Sequence, residues 1–153
     1  MIKIITDSTS DIDVTYAKEL NIDIVPLKVI IDGKEYKDRV DLQPDQFYSL
    51  LEKSEVLPTT SQPSPQEFLN YYEEAKEKGD SVIVMTLSGT ISGTYQSANI
   101  AKDLAEYENI YVIDSLNATQ ALRLLVLKAV ALREEGKDAE TIFNELQAYK
   151  ERV

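Results

Sequence analysis

Short apolar runs rich in β-branched residues alternate along the chain with longer helix-like stretches, and this alternation constrains the fold more than any other feature. Residues 2–5, 81–87 and 109–113 are the apolar runs that predict strands, and each is followed by polar residues and then by a helix-like stretch. Such alternation is typical of parallel sheets whose strands are joined by right-handed helical crossovers. The sequence therefore predicts an α/β domain with a mainly parallel sheet flanked by helices.

Capping residues and apolar spacing predict six helices. Ser64, Pro65 and Glu67 form a capping-box start, and Gly79 is placed to end the same helix. Pro44 opens a short helix that directs Phe47, Leu50 and Leu51 inward. The predicted ranges are 13–20, a short helix from 44, 65–78, 95–104, 117–135 and 138–152.

Proline and glycine mark the interruptions between these elements. Residues 22–31 read as an apolar strand, and Asp32-Gly33 predicts a hairpin turn into a short return strand at 34–36. Pro26 lies inside this run and favours an edge position or a bulge. Residues 58–65 hold three of the five prolines, so we expect a stiff, hydroxyl-rich loop there.

Charge and composition exclude several classes of function. The 16 Lys and Arg residues against 27 Asp and Glu give a net charge of −11, which repels nucleic acid and anionic membranes. The absence of His and Cys removes thiol chemistry, His or Cys zinc sites and catalytic pairs of Ser or Cys with His. With no signal-peptide pattern and no run of about 18 apolar residues, we expect a cytoplasmic protein that is not embedded in a membrane.

Polar residues follow three of the predicted strands, where ligands bind in open parallel sheets. These residues lie in 6–10, 88–94 and 114–115, and we call the edge of the sheet that they form the rim. The Thr59-Thr60-Ser61 loop is expected to face the same rim. Helix N-termini and hydroxyls donate hydrogen bonds, and none of these loops contains Lys or Arg. The rim is therefore better suited to one carboxylate than to a triphosphate. The alternative is that the Ser and Thr side chains only cap helices.

Catalytic and metal motifs at this rim are weak. Gly89 and Gly93 fit neither a dinucleotide fingerprint nor a P-loop, and Ser92 has no nucleophile elbow and no His to act as its base. Asp7 and Asp114, with a further acid at Asp11, could gather around a metal, but carboxylates at strand ends more often cap helices. We expect no catalytic residue, no metal and no cofactor.

The predicted helix at 117–135 is apolar around nearly its whole circumference. Such a helix is either central in its domain or forms an interface with another domain or subunit. Arg123 lies within this stretch and either extends along an edge or pairs with an acid.

Five segments, read in order, resemble the DegV family of bacterial fatty-acid-binding proteins. The segments are 4–11 (IITDSTSD), 25–27 (VPL), 58–64 (PTTSQPS), 87–88 with 91–98 (LS and ISGTYQSA) and 112–115 (VIDS). The resemblance spans essentially the whole chain but only the first of the family's two domains. We therefore expect one DegV-like N-terminal domain over 1–153 without the second domain.

The resemblance implies a lipid-binding protein, not an enzyme, that holds a long-chain fatty acid and presents it to a fatty acid kinase. It assigns the carboxylate to Thr60 and Ser92. Supporting positions at the same rim are Ser61, Gly93, Thr94, Ser8, Asp114 and Ser115. Gly89 departs from the family, which usually has a second Ser at that position.

A different interpretation is an isolated or engineered scaffold that lacks a competent lipid site. Polar residues at Asn117, Gln120 and Arg123 favour it, and such a domain could form a homodimer through the 117–132 helix. An enzyme acting on a phosphorylated metabolite at the same rim is a weaker third interpretation, because no His, Cys or nearby basic residue supports it.

Overall fold

The computed structural model describes residues 1–153 and confirms the α/β class, with seven strands and six helices. The strands are β1 (Ile2–Asp7), β2 (Ile22–Val25), β3 (Lys28–Ile31), β4 (Lys34–Lys37), β5 (Thr59–Ser61), β6 (Ser81–Thr86) and β7 (Ile110–Asp114). The helices are α1 (Val14–Glu19), α2 (Pro44–Lys53), α3 (Pro65–Lys78), α4 (Thr94–Ala105), α5 (Thr119–Glu134) and α6 (Ala139–Tyr149). Single 3-10 turns occupy Ser8–Ser10 and Lys150–Arg152.

The main sheet has four parallel strands in the order β2-β1-β6-β7. Its side chains alternate between two buried faces: Ile4 belongs to the core shared with α1, α5 and α6, and Ile5 to the core shared with α3 and α4. Burial on both faces explains why these strands read as continuous apolar runs.

The order of the strands reverses between β1 and β6. The chain runs from β1 outward to β2 and later returns to the other side of β1 with β6. Ligands of open α/β sheets bind in the crevice at such a point, beyond the carboxyl ends of the strands. The loops that follow β1 and β6 are two of the three polar loops that the sequence singles out.

The prediction of one strand over 22–31 is wrong, because two strands of different sheets occupy this run. β2 is the edge of the parallel sheet, whereas β3 is the centre of a three-stranded antiparallel sheet in the order β4-β3-β5. Pro26, which cannot donate to a sheet, lies between them. The hairpin at Asp32-Gly33 is confirmed, with φ of 51° and 75° as its turn requires.

The 58–65 segment is not a loop throughout. Thr59–Ser61 forms β5, a three-residue edge strand that pairs with β3. Its prolines flank the paired residues, so the backbone N–H groups of the strand remain free to donate. This pairing holds Thr60 on a sheet edge.

The predicted helix starts and ends are confirmed within a few residues. Ser64 caps α3 with the reciprocal Glu67 contact, and Gly79 ends it in the left-handed conformation at φ 71°. Helix α2 begins at Pro44 as predicted, but none of its residues is fully buried. Its inward residues Phe47 and Leu50 pack against a small core under the second sheet.

Helix α5 is buried on one side only. Leu122, Leu125 and Val126 lie in the main core, whereas Leu124 is 50% exposed. Arg123 does not pair with an acidic side chain. Its guanidinium donates to the backbone carbonyl of Asp11 at 3.3 Å and lies over the ring of Tyr16. None of the helices is long and apolar enough to span a membrane.

Candidate anion-binding site at the strand ends

The three polar loops lie side by side at the carboxyl edge of the parallel sheet, as predicted. The Asp7 carboxylate, at the end of β1, accepts a hydrogen bond from the Leu87 amide after β6 at 2.8 Å. The Ser115 amide, after β7, donates to the Thr86 carbonyl at 3.2 Å. Direct hydrogen bonds therefore join the ends of all three strands.

Ser92 and Thr94 stand where the loop after β6 enters α4. Their hydroxyl oxygens are 2.9 Å apart, and the Thr94 amide donates to the Ser92 hydroxyl at 3.3 Å. Gly93 precedes the helix and offers no side-chain cap. The first turn of α4 thus presents backbone N–H groups and a half-buried Ser92 hydroxyl, all of them neutral donors.

Thr60 approaches this loop from the second sheet. It pairs with Val29 of β3 and is exposed, whereas Ser61 is half-buried opposite Lys28. The next residue, Gln62, reaches the β6–α4 loop: a Cβ on Gly93 would lie 2.6 Å from its Nε2 atom. The segment that carries Thr60 therefore touches the loop that carries Ser92.

Ser8 and Ser115 are buried and already hold internal partners. The Ser8 hydroxyl accepts from the Leu27 amide at 3.0 Å, which fixes the chain after Pro26. The Ser115 hydroxyl donates to the Asn117 carbonyl at 3.0 Å and accepts from the amide of the same residue. These two hydroxyls shape the rim from below and do not open onto it.

Asp114 lies over Gly89 and explains the absence of a side chain at that position. Its carboxylate accepts from the Gly89 amide at 3.1 Å and from the Leu116 amide at 3.0 Å. A Cβ on Gly89 would lie 2.9 Å from the other carboxylate oxygen, so a Ser there would displace Asp114. The glycine that departs from the resemblance thus coincides with a contact between β7 and this loop.

The three acids considered for a metal each serve a different partner. Asp7 accepts from amides, Asp11 forms an ion pair with Arg39 at 2.9 Å, and Asp114 accepts from two further amides. No group of three or more Asp or Glu side chains is placed to share a metal ion.

Two carboxyls below the rim, one buried and one half-buried, have a raised pKa. Burial raises the pKa of Asp7 against the opposing effect of its hydrogen bonds from Thr9 and Leu87. Burial also raises the pKa of Asp38, against a hydrogen bond from Ser8 and the charge of Arg39. Sequence reasoning missed Asp38, because no local pattern indicates that it packs beneath the β1 loop.

Gln62 is the other residue that sequence reasoning missed. It stands within the PTTSQPS segment, between the residues chosen for their hydroxyls. Its place two residues after Thr60 in an extended segment is the signal that could have drawn attention to it, because such residues share a face.

Comparison with known proteins identifies the family. A family model described as the uncharacterised DegV family matches residues 1–153. The chain belongs to the DegV family. A DegV domain-containing protein of Clostridium acetobutylicum is 45% identical over 145 residues, which cover 95% of this chain and 52% of that relative.

Solved DegV structures share the fold closely. A fatty-acid-binding DegV family protein from Thermus thermophilus matches with a TM-score of 0.89 and 35% identity, over 98% of this chain and 53% of that one. The Fatty Acid Kinase B3 protein of Streptococcus pneumoniae, loaded with linoleic acid, matches with a TM-score of 0.84 and 28% identity, over 99% and 54%. This chain thus spans about half the length of the relatives it matches.

Proposed function

We propose that this DegV chain forms the head-group side of a site for one long-chain fatty acid, with the hydroxyls of Thr60 and Ser92 donating to the carboxylate. The observation that carries the proposal is the approach of Gln62 to Gly93, which sets the Thr60 segment against the Ser92 loop. The fatty-acid-binding DegV protein of Thermus thermophilus supports the choice of ligand.

Neutral donors can hold a single carboxylate here. A hydrogen bond from a hydroxyl to a charged group contributes about 1.5–3 kcal/mol, and α4 adds its N-terminal amides and dipole at Ser92. The Asp114 carboxylate, which contacts Gly89 of the same loop, already accepts hydrogen bonds from two backbone amides. The site is thus suited to one negative charge.

Exposed apolar side chains in the same loops offer a surface for the acyl tail. Ile91 precedes Ser92 and is 68% exposed, and Leu116 follows the β7 end and is 48% exposed. Each buried methylene of a tail contributes about 0.8 kcal/mol, so such contacts outweigh the head group in a long-chain acid. The tail therefore supplies most of the affinity, and the hydroxyls add to it and orient the acid.

The proposed role is to bind and present the acid, without chemistry on it. Ser92 has only Thr94 as its hydroxyl partner and no side-chain base beside it. The kinase-system protein of Streptococcus pneumoniae loaded with linoleic acid supports presentation to a fatty acid kinase. We infer that the kinase phosphorylates the carboxylate held at this rim.

The test is oleate binding by Thr60→Ala, Ser92→Ala and the double variant, measured by native mass spectrometry and calorimetry. We expect each single change to weaken binding about tenfold, as the loss of one hydrogen bond to a charged group predicts. Thr59→Ala and Thr90→Ala are matched controls, since these exposed neighbours lie in the same segments. Unchanged oleate affinity in the double variant would rule out this assignment.

Self-association through α5 is the second candidate, and the half-exposed Leu124 favours it. Sedimentation equilibrium over a hundredfold concentration range distinguishes the two. A dimer that Leu124→Glu converts to monomer supports the interface, whereas a monomeric wild-type chain excludes it.

A further inference from the structure

Gln62 is the side chain that joins the two halves of the proposed head-group site. We propose that its side-chain amide is a third donor to the bound carboxylate, beside Thr60 and Ser92. This role rests on the proposed function and adds a residue to it.

The amide of Gln62 has free hydrogen-bonding capacity at the right place. Gln62 is exposed, and its side chain makes no hydrogen bond within the molecule. The amide nevertheless lies against the Gly93 backbone, with its Nε2 2.6 Å and its Cδ 2.9 Å from the position of a Cβ at that residue. A long polar side chain that packs on a binding loop without an internal partner leaves both amide hydrogens available to a ligand.

The three donors belong to two segments of the chain that touch each other. Thr60 lies in β5, and Gln62 is the first residue after the end of that strand, two positions along the chain. Gln62 crosses to Gly93, whose neighbour in the chain is Ser92. The amide therefore lies where the segment that carries Thr60 meets the loop that carries Ser92.

A carboxylate can use this third donor. Its two oxygens offer about four acceptor sites, and two hydroxyls fill only half of them. The Ser92 hydroxyl is in addition shared with Thr94, at 2.9 Å. The neutral Gln62 amide can donate to a remaining acceptor site of the carboxylate. It adds no charge to the rim, whose loops contain no Lys or Arg.

The absence of a side chain at Gly93 fits this arrangement. Its φ of −75° and ψ of 5° are open to any residue, so backbone conformation does not require glycine. A glycine instead leaves room for the Gln62 amide, which an added methyl group would meet. Since the far end of a flexible side chain yields first, Gly93→Ala should move the amide away and leave the loop in place.

The experiment measures binding of oleate and of oleyl alcohol to the 153-residue chain. Gln62→Met keeps length and volume but removes the donors, and Gln66→Met is the control on the exposed face of α3. We expect Gln62→Met to weaken oleate binding about tenfold and oleyl alcohol binding less than twofold, because only the carboxylate is charged. Gly93→Ala should give a similar loss of oleate affinity, and the double variant should lose little more than either single change.

Each result decides a different point. Oleate affinity that is unchanged in Gln62→Met, or an equal loss for acid and alcohol, overturns the donor role and leaves Thr60 and Ser92 in place. Full additivity of Gln62→Met and Gly93→Ala also overturns it, since the glycine would then act separately. A wild-type chain that binds neither ligand overturns the proposed function together with this role.

Discussion

At the scale of single residues, Asp38 makes stability depend on pH. Burial raises its pKa above the unfolded value, so the folded state holds the proton more tightly than the unfolded chain. Its contribution to the free energy of unfolding is therefore present at low pH and lost as the pH rises from about 4 through the folded pKa. We expect Asp38→Asn to gain stability relative to wild type as the pH rises from 4 to 7.

Urea unfolding at a series of pH values measures this difference. The predicted quantity is the change in the free energy of unfolding with pH, not its value at one pH. The value at one pH also reflects the altered hydrogen bond from Ser8 and the altered attraction to Arg39. Asp103→Asn removes the same charge from an exposed position of α4 and serves as the control. Parallel pH profiles for wild type and Asp38→Asn would contradict the prediction.

The place of a residue at the sheet edge was predictable from the sequence where the residue lies at or after the end of a predicted strand. Asp114 ends β7 and Ser92 lies in the loop after β6, and parallel strands bring their carboxyl ends to one edge. Gln62 and Asp38 were not predictable, because their contacts join segments about 30 residues apart through side-chain packing. The contact between Gly89 and the Asp114 carboxylate was not predictable either, because it depends on how the side chain packs in the fold.

At the scale of elements, helix ends differ in backbone strain. Gly79 ends α3 at φ 71° with nothing within 4 Å of an added Cβ, whereas Glu106 ends α4 at φ 48° with a side chain present. We expect Gly79→Ala to cost about 1 kcal/mol and Glu106→Gly to gain about 0.5–1 kcal/mol, because only glycine adopts this region without penalty. Chemical denaturation measures both changes.

A matched substitution separates strain from the loss of a side chain. Glu108→Gly is exposed in the same connection but has no positive φ, so it should be neutral or destabilising. A gain in Glu108→Gly equal to that in Glu106→Gly would attribute the effect to charge and not to backbone conformation.

Elements with local end signals were predictable, and those shaped by the tertiary fold were not. Ser64 and Gly79 fix α3 through capping and backbone conformation. The 22–31 run looks continuous because β2 and β3 are both apolar, yet they join different sheets on either side of Pro26. β5 was missed because three residues carry too little pattern to mark a strand.

At the scale of the whole molecule, the two large cores lie on opposite faces of one parallel sheet. Ile4 and Ile5 are neighbours in β1, yet they belong to different cores. If the sheet comes apart, the apolar side chains of both cores become exposed to water. The class of this architecture was predictable from alternating elements, whereas the strand order that places the crevice between β1 and β6 was not.

This shared sheet predicts that residues 1–153 unfold as one cooperative unit. Leu125→Ala on one face and Phe68→Ala on the other should each destabilise the whole chain, by about 2–5 and 3–5 kcal/mol, because both side chains are fully buried. Circular dichroism and fluorescence of the nine tyrosines should give one shared transition in each variant. Leu104→Ala, at a 60% exposed position, should change stability by less than about 0.5 kcal/mol. Separate transitions, with only one shifted by each variant, would show that the two faces fold independently and that the sheet does not couple them.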